Sequence, residues 1–175
     1  MGSIIDRISQ LNIEVTSPDR TVSGQLTMRA GMSIRFAEDI RRWHDEDTLA
    51  AQIEAVLRGL VAGQRRAAHM LRGTTEPGPS EKPRTPAAQR AAKLAEAIAE
   101  QDVSAESTDG NVLIRQTGAD DFIVVIVPGS LHRIPQDALR AEVQSALFTV
   151  RREFGRNARQ LNEQFYSSRG TGARR

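Results

Sequence analysis

The sequence predicts an α+β fold built from two tandem copies of one module, each a small antiparallel sheet followed by a long helix. Three observations predict it. Shifted by ninety positions, the chain matches itself without a gap: Ile8 falls on Ile98, Ser17 on Ser107, Val22 on Val112, Asp47 on Asp137, Leu57 on Leu147 and Leu71 on Leu161. Conservative pairs such as Ile13 with Val103, Met32 with Phe122 and Ile34 with Val124 keep the apolar phase between them. A fixed long period is the mark of a repeated structural unit. Next, the unbroken apolar run at 122–127 has the length and β-branched content of a buried strand. Finally, Leu139, Val143, Leu147, Val150, Phe154, Ala158, Leu161 and Phe165 recur at steps of three and four, one stripe of a long helix.

In chain order, Ile4, Ile5, Ile8 and Leu11 predict a short helix, and Ile13 and Val15 a first strand. Pro18, Asp19 and Arg20 make a turn. Val22, Gly24, Leu26 and Met28 alternate with polar residues as a half-buried strand, and Ala30-Gly31 turns into a third carrying Met32, Ile34 and Phe36. Ile40 and Trp43 sit in the connection. Asp45, Glu46 and Asp47 supply acceptors and negative charge for a helix N-terminus. That helix carries Leu49, Ile53, Val56, Leu57, Leu60, Val61, Ala68 and Leu71, and ends in Arg65, Arg66, His69 and Arg72 before Gly73.

This first repeat occupies 1–72. A linker at 73–86 holds Pro77, Pro79, Pro83 and Pro86; proline-rich chain extends at ~3 Å per residue, so it reaches roughly 40 Å. The second repeat, 87–166, opens with an Ala-rich helix at 87–101 and continues with a hairpin turned at Asp109-Gly110 and another at 118–121. The Gly-, Ser- and Arg-containing tail, 167–175, has the composition of a disordered segment. Each repeat alone is small enough to be marginal, so the halves are expected to pack together, through their helices.

One asymmetry stands out. The off-phase face of the last strand is Ser33, Arg35 and Ala37 in the first half but Ile123, Val125 and Val127 in the second. Something must cover that second face: the helix at 87–101, the other half, or another subunit, which would make a homo-oligomer. With Leu147, Val150, Phe154, Leu161 and Phe165 it forms the candidate partner interface.

Composition bounds the rest. The 175 residues include no cysteine, hence no disulfide framework and no thiolate metal site. No apolar run approaches the ~20 residues of a membrane span, and Met1 to Asp6 has no signal-peptide pattern. A cytoplasmic location is expected. The net charge is only +2, and nearly all the positive charge is Arg, the lysines being Lys82 and Lys93. A GC-rich genome accounts for that bias better than selection for phosphate contacts.

The order helix, antiparallel strands, long helix resembles the YbaB/EbfC nucleoid-associated family. The residues carrying the resemblance are 93–101 with Val103, Glu106 and Ser107, then Asn111-Val112-Leu113-Ile114-Arg115, Ile126-Val127-Pro128-Gly129-Ser130-Leu131, and the helix at 138–159; the first half fits from Ile13 to Leu71. The resemblance implies a bacterial, nucleoid-located α+β protein that binds double-stranded DNA with little sequence preference, here as a single-chain pseudo-dimer. Some relatives act with specialised secretion systems instead, which leaves a protein–protein adaptor or chaperone-like factor as the alternative.

DNA binding would rest on phosphate contacts from Arg65, Arg66, Arg72, Arg151, Arg152, Arg156, Arg159, Arg169, Arg174 and Arg175. Taken singly, each is accounted for as a solvated helix face or a partner of the helix dipole. Trp43 and Tyr166 are too few for a base-stacking platform. His44, His69 and His132 lack ligand spacing, so no metal is expected. Asp45-Glu46-Asp47 and Asp120-Asp121 read as a helix start and a hairpin tip. No phosphate loop, nucleophile elbow or catalytic triad pattern is present, so neither an enzyme nor a cofactor is expected.

Overall fold

Alternation of apolar and polar side chains decides the strands, and the outcome is two separate three-stranded antiparallel sheets in an α+β chain. The computed structural model describes residues 12–27, 29–72 and 85–167. The predicted N-terminal helix, the linker up to position 84 and the tail from 168 lie outside the described residues, as do Met28 and the side chains of Leu71 and Arg72. The first sheet is β1 (Asn12–Thr16), β2 (Val22–Thr27) and β3 (Gly31–Phe36), followed by a 3₁₀ turn at Ile40–Arg42 and the helix α1 (Glu46–Arg72). Then come α2 (Pro86–Ala99), β4 (Asp102–Glu106), β5 (Val112–Thr117), β6 (Asp121–Ile126), the single turn α3 (Ser130–Arg133) and α4 (Gln136–Ser167). The strands of the second sheet begin and end ninety positions after those of the first, and α4 starts ninety after α1.

The offset extends to the turns. Ser17 N donates to Val22 O at 2.8 Å, and Ser107 N to Val112 O at 2.8 Å. The hydroxyls of Ser17 and Ser107 each accept from the amide of residue 22 or 112 at 3.0 Å. Arg20 and Gly110 share a left-handed backbone, as do Asp39 and Gly129. Helix α1 starts as its acidic N-terminus predicts: Asp45 Oδ1 accepts from Thr48 N at 2.8 Å, and Thr48 Oγ1 accepts from Asp45 N at 3.1 Å, a reciprocal cap.

One core runs through both halves. The α4 stripe is buried from Leu139 to Phe154, and Ala158, Leu161 and Phe165 are half-buried. The halves do not dock helix on helix. Helix α1 lies on β1 and β2 of its own sheet and on β6 of the other, while α4 lies on β4 and β5 and on β3. The reason is the sheet edge. A third strand leaves a row of amides and carbonyls unpaired, and a helix laid alongside covers it.

The covering is polar and specific. On β3, Gln144 does both tasks: its Oε1 accepts from Ile34 N at 3.2 Å and its Nε2 donates to Met32 O at 2.8 Å. On β6, Glu54 stands ninety positions earlier and accepts from Val124 N at 2.9 Å. A carboxylate cannot donate, so Arg58, one turn on, supplies the bond to Phe122 O at 3.0 Å. The helix starts clasp likewise: Glu46 accepts from Leu131 N at 3.1 Å, and Gln136 accepts from Ile40 N at 3.2 Å. Gln144→Glu removes the donor that this side chain gives Met32 O while keeping the size. It should cost about 1 kcal/mol, read as a lower urea midpoint at unchanged slope.

Close approach also needs missing side chains. A Cβ at Gly24 on β2 would sit 2.4 Å from Val56 Cγ1 on α1, and one at Gly59 would sit 2.7 Å from Val15 Cγ1. The run at 122–127, expected as a fully buried strand, is buried on one face only: Phe122, Val124 and Ile126 are in the core, while Ile123, Val125 and Val127 are 43%, 48% and 38% exposed. Helix α2 does not cover them; it packs along α4.

Candidate nucleic-acid interface

Ten arginines were expected to contact phosphate, and the fold separates them. Arg65 is engaged by the second hairpin, its Nη2 lying 2.5 Å from Asp120 Oδ2. Arg66 is exposed near the end of α1. The Arg72 side chain and Arg169, Arg174 and Arg175 lie outside the described residues. Arg151 is turned inward and half-buried, donating to Gln116 Oε1 at 3.2 Å. Burial pushes its pKa down, though a guanidinium stays charged.

The remaining three form a set. Arg152, Arg156 and Arg159 are exposed on α4 at spacings of four and three, hence along one stripe. Phe148 starts the stripe one turn earlier, 63% exposed, with the Arg152 guanidinium 5.8 Å from its ring centroid. Among the described residues only Arg156 has a carboxylate within ion-pair distance, a loose contact of 3.9 Å to Glu153. Such an exposed, distant pair is worth little in water. From Phe148 to Arg159 the stripe spans about 16 Å at ~1.5 Å per residue, and the acidic Glu163 follows it.

The expected partner interface also divides. Leu147, Val150 and Phe154 lie in the core, so their apolar surface is used within the chain. Leu161 and Phe165 are half-buried on the distal part of α4. Ile123, Val125 and Val127 remain as an exposed strip on the outer face of β6, with half-buried Leu113 paired opposite Val125. The Arg115–Asp102 ion pair lies beside it on β5 and β4.

One polar cluster was invisible in the sequence. His44, its side chain 5% exposed, places Nε2 at 2.7 Å from Thr21 Oγ1 and 3.1 Å from Asp19 Oδ2, and Nδ1 at 3.3 Å from Thr48 Oγ1. Burial works to raise the Asp19 pKa, but bonds from Ser17 and Thr21 outweigh it and hold it below the ordinary value. In a catalytic triad the nucleophile and the acid take opposite ring nitrogens. The hydroxyl opposite Asp19 is that of Thr48, which is committed to the helix cap, donating to Asp45 Oδ1 at 2.6 Å and accepting from Asp45 N at 3.1 Å, so the histidine ties the β1–β2 turn to the start of α1. Arg29, Arg58, Gln116 and Phe148 were also passed over. The ninety-residue alignment holds a signal for them: acidic Asp120-Asp121 at one hairpin tip stands where Ala30-Gly31 stand at the other.

Among the described residues no helix is long and apolar enough to cross a membrane. No protein-family model, curated protein or solved structure matches this chain.

Proposed function

We propose that the chain is a duplicated YbaB/EbfC-like module, folded as an intramolecular pseudo-dimer, that binds double-stranded DNA in the nucleoid without sequence preference. The supporting observation is the exposed stripe of Arg152, Arg156 and Arg159 on α4, which among the described residues meets only Glu153, at 3.9 Å. Cations in a row on a rigid helix contact phosphates and carry no base readout. The ninety-residue agreement of strand boundaries supports the duplication. No reaction belongs to this reading.

The test is a gel-shift series against salt. Binding should weaken steeply as salt rises, and Arg152→Glu/Arg156→Glu/Arg159→Glu should reduce the log–log slope by about 2.7, at ~0.9 per lost phosphate contact. Absence of any shift at low ionic strength removes the proposal. A second reading, a protein–protein adaptor, is favoured by the exposed Ile123, Val125 and Val127 strip. Val125→Lys separates the two: DNA binding is unaffected under the first reading, and partner binding is abolished under the second.

A further inference from the structure

We propose that the cleft between the β2–β3 hairpin tip and α4 binds a nucleoside monophosphate, its phosphate taken by Arg29, Arg151 and Arg152 and its base laid against Phe148. The cleft holds about 440 Å³, within the roughly 300–1,000 Å³ of small-molecule sites. Its walls include the apolar Leu26 and Met32 together with Phe148 and the three arginines.

The case rests on a comparison inside the molecule. At the other hairpin, Asp120 and Asp121 reach α1, where Arg65 meets Asp120 at 2.5 Å and Arg58 Nε meets Asp121 at 2.9 Å. Charge is balanced there within the chain. At the first hairpin the corresponding residues are Ala30 and Gly31, and Arg29 replaces Ala119. Across from it, Arg58 and Arg65 are replaced by Phe148 and Gly155, while Val61 and Ala62 are replaced by Arg151 and Arg152. Among the described residues none of the three arginines has a carboxylate within ion-pair distance. One location supplies its own anions; the other has three cations and supplies none.

Arg151 is also held in place. Gln116 is fully buried, and its Nε2 donates to Gly118 O at 3.1 Å and Ala119 O at 3.4 Å. That fixes the amide so that Oε1 accepts from Arg151 Nη1 at 3.2 Å. A neutral acceptor orients the guanidinium without cancelling its charge, leaving further donors for an oxyanion. A terminal phosphate suits three guanidiniums better than a carboxylate does, with three acceptor oxygens against two. The exposed Phe148 ring, already beside Arg152, provides a face for a planar base. This claim goes beyond the DNA reading, because Arg29 and Arg151 are not among the exposed arginines Arg152, Arg156 and Arg159 that carry it.

The test is calorimetric titration of the full chain at low salt with adenosine monophosphate, adenosine and inorganic phosphate. Adenosine monophosphate should bind at least tenfold tighter than either fragment. Arg29→Ala, on the exposed hairpin, and Arg151→Gln should each weaken it at least tenfold, and Phe148→Ala should bring it down to the affinity of phosphate alone. Arg156→Ala/Arg159→Ala should leave it unchanged while weakening duplex DNA. Equal affinity for the nucleotide and for phosphate overturns the proposal, as does an Arg29→Ala protein that binds like the parent. If duplex DNA is the only phosphate ester bound, and Arg156→Ala/Arg159→Ala weakens it, the cleft proposal fails and the DNA reading stands.

Discussion

Phe122→Ala is expected to lower stability by about 3–5 kcal/mol and to melt both halves together. The ring is fully buried on β6, and β6 is the strand of the second sheet on which α1 of the first half lies. Removing it opens a cavity beneath a helix that also packs on β1 and β2 of the first sheet. A chain of this size typically has ~5–15 kcal/mol of stability in total, so the loss is a large share. At roughly 2–4 °C per kcal/mol the melting temperature should fall by about 10 °C. The informative reading is the shape of the transition. One shared core predicts a single cooperative step, with amides of β2 losing exchange protection together with those of β5. Two separable steps, with the first sheet surviving the second, would show instead that the helix–strand contacts between the halves are incidental.

What the sequence made legible, and what it hid, divides along the range of the interaction. Strands and helices follow from spacing: the alternation of Val22, Gly24 and Leu26 and the stripe from Leu139 to Phe165 depend on near neighbours, and both appear in the structure. The ninety-residue offset was legible for the same reason, since each position is compared with a single other. Which sheet a helix stripe faces is a different matter. Leu49, Ile53 and Leu57 declare an apolar face without saying whose sheet it covers, so docking through the helices was the natural expectation. The actual joints are polar, Gln144 to β3 and Glu54 with Arg58 to β6, and a glutamine or glutamate on a helix reads as a solvated residue until its partner is known. The arginines suffered equally. Arg65, Arg151 and Arg159 look alike in a helix tail, yet one pairs with Asp120, one is half-buried against Gln116 and one is exposed. Leu147, Val150 and Phe154 were counted toward a partner surface together with Ile123, Val125 and Val127. The first three are buried because α4 lies on its own sheet and also reaches β3.

Glu142→Gln is expected to destabilise the second half by about 2 kcal/mol, and the loss should depend on pH. The carboxylate is only 6% exposed on α4. It accepts from the Ser107 hydroxyl, from Asp109 N at 3.3 Å and from Asn111 N at 3.4 Å, closing the β4–β5 turn against the helix. In the first half the turn carboxylate Asp19 serves its own turn, accepting from Ser17 Oγ at 2.7 Å and Thr21 N at 3.0 Å, and position 52 is a glutamine. Burial pushes the Glu142 pKa up, but the Ser107 hydroxyl and the Asn111 and Asp109 amides favour the charged form more, and the net shift is below the ordinary 4.5. A depressed folded-state pKa means stability that is fully present above the unfolded value and disappears as pH falls through the folded one. The amide of a glutamine removes that charge and turns donors toward amides that are themselves donors. Parent and variant should therefore differ most near pH 7, and the gap should narrow from about pH 4.5 downward, as the parent carboxylate takes up its proton. Urea midpoints at pH 7, 5, 4 and 3 measure it. A gap that stays constant across that series would mean that the side chain acts through packing, and that its charge does not hold the turn.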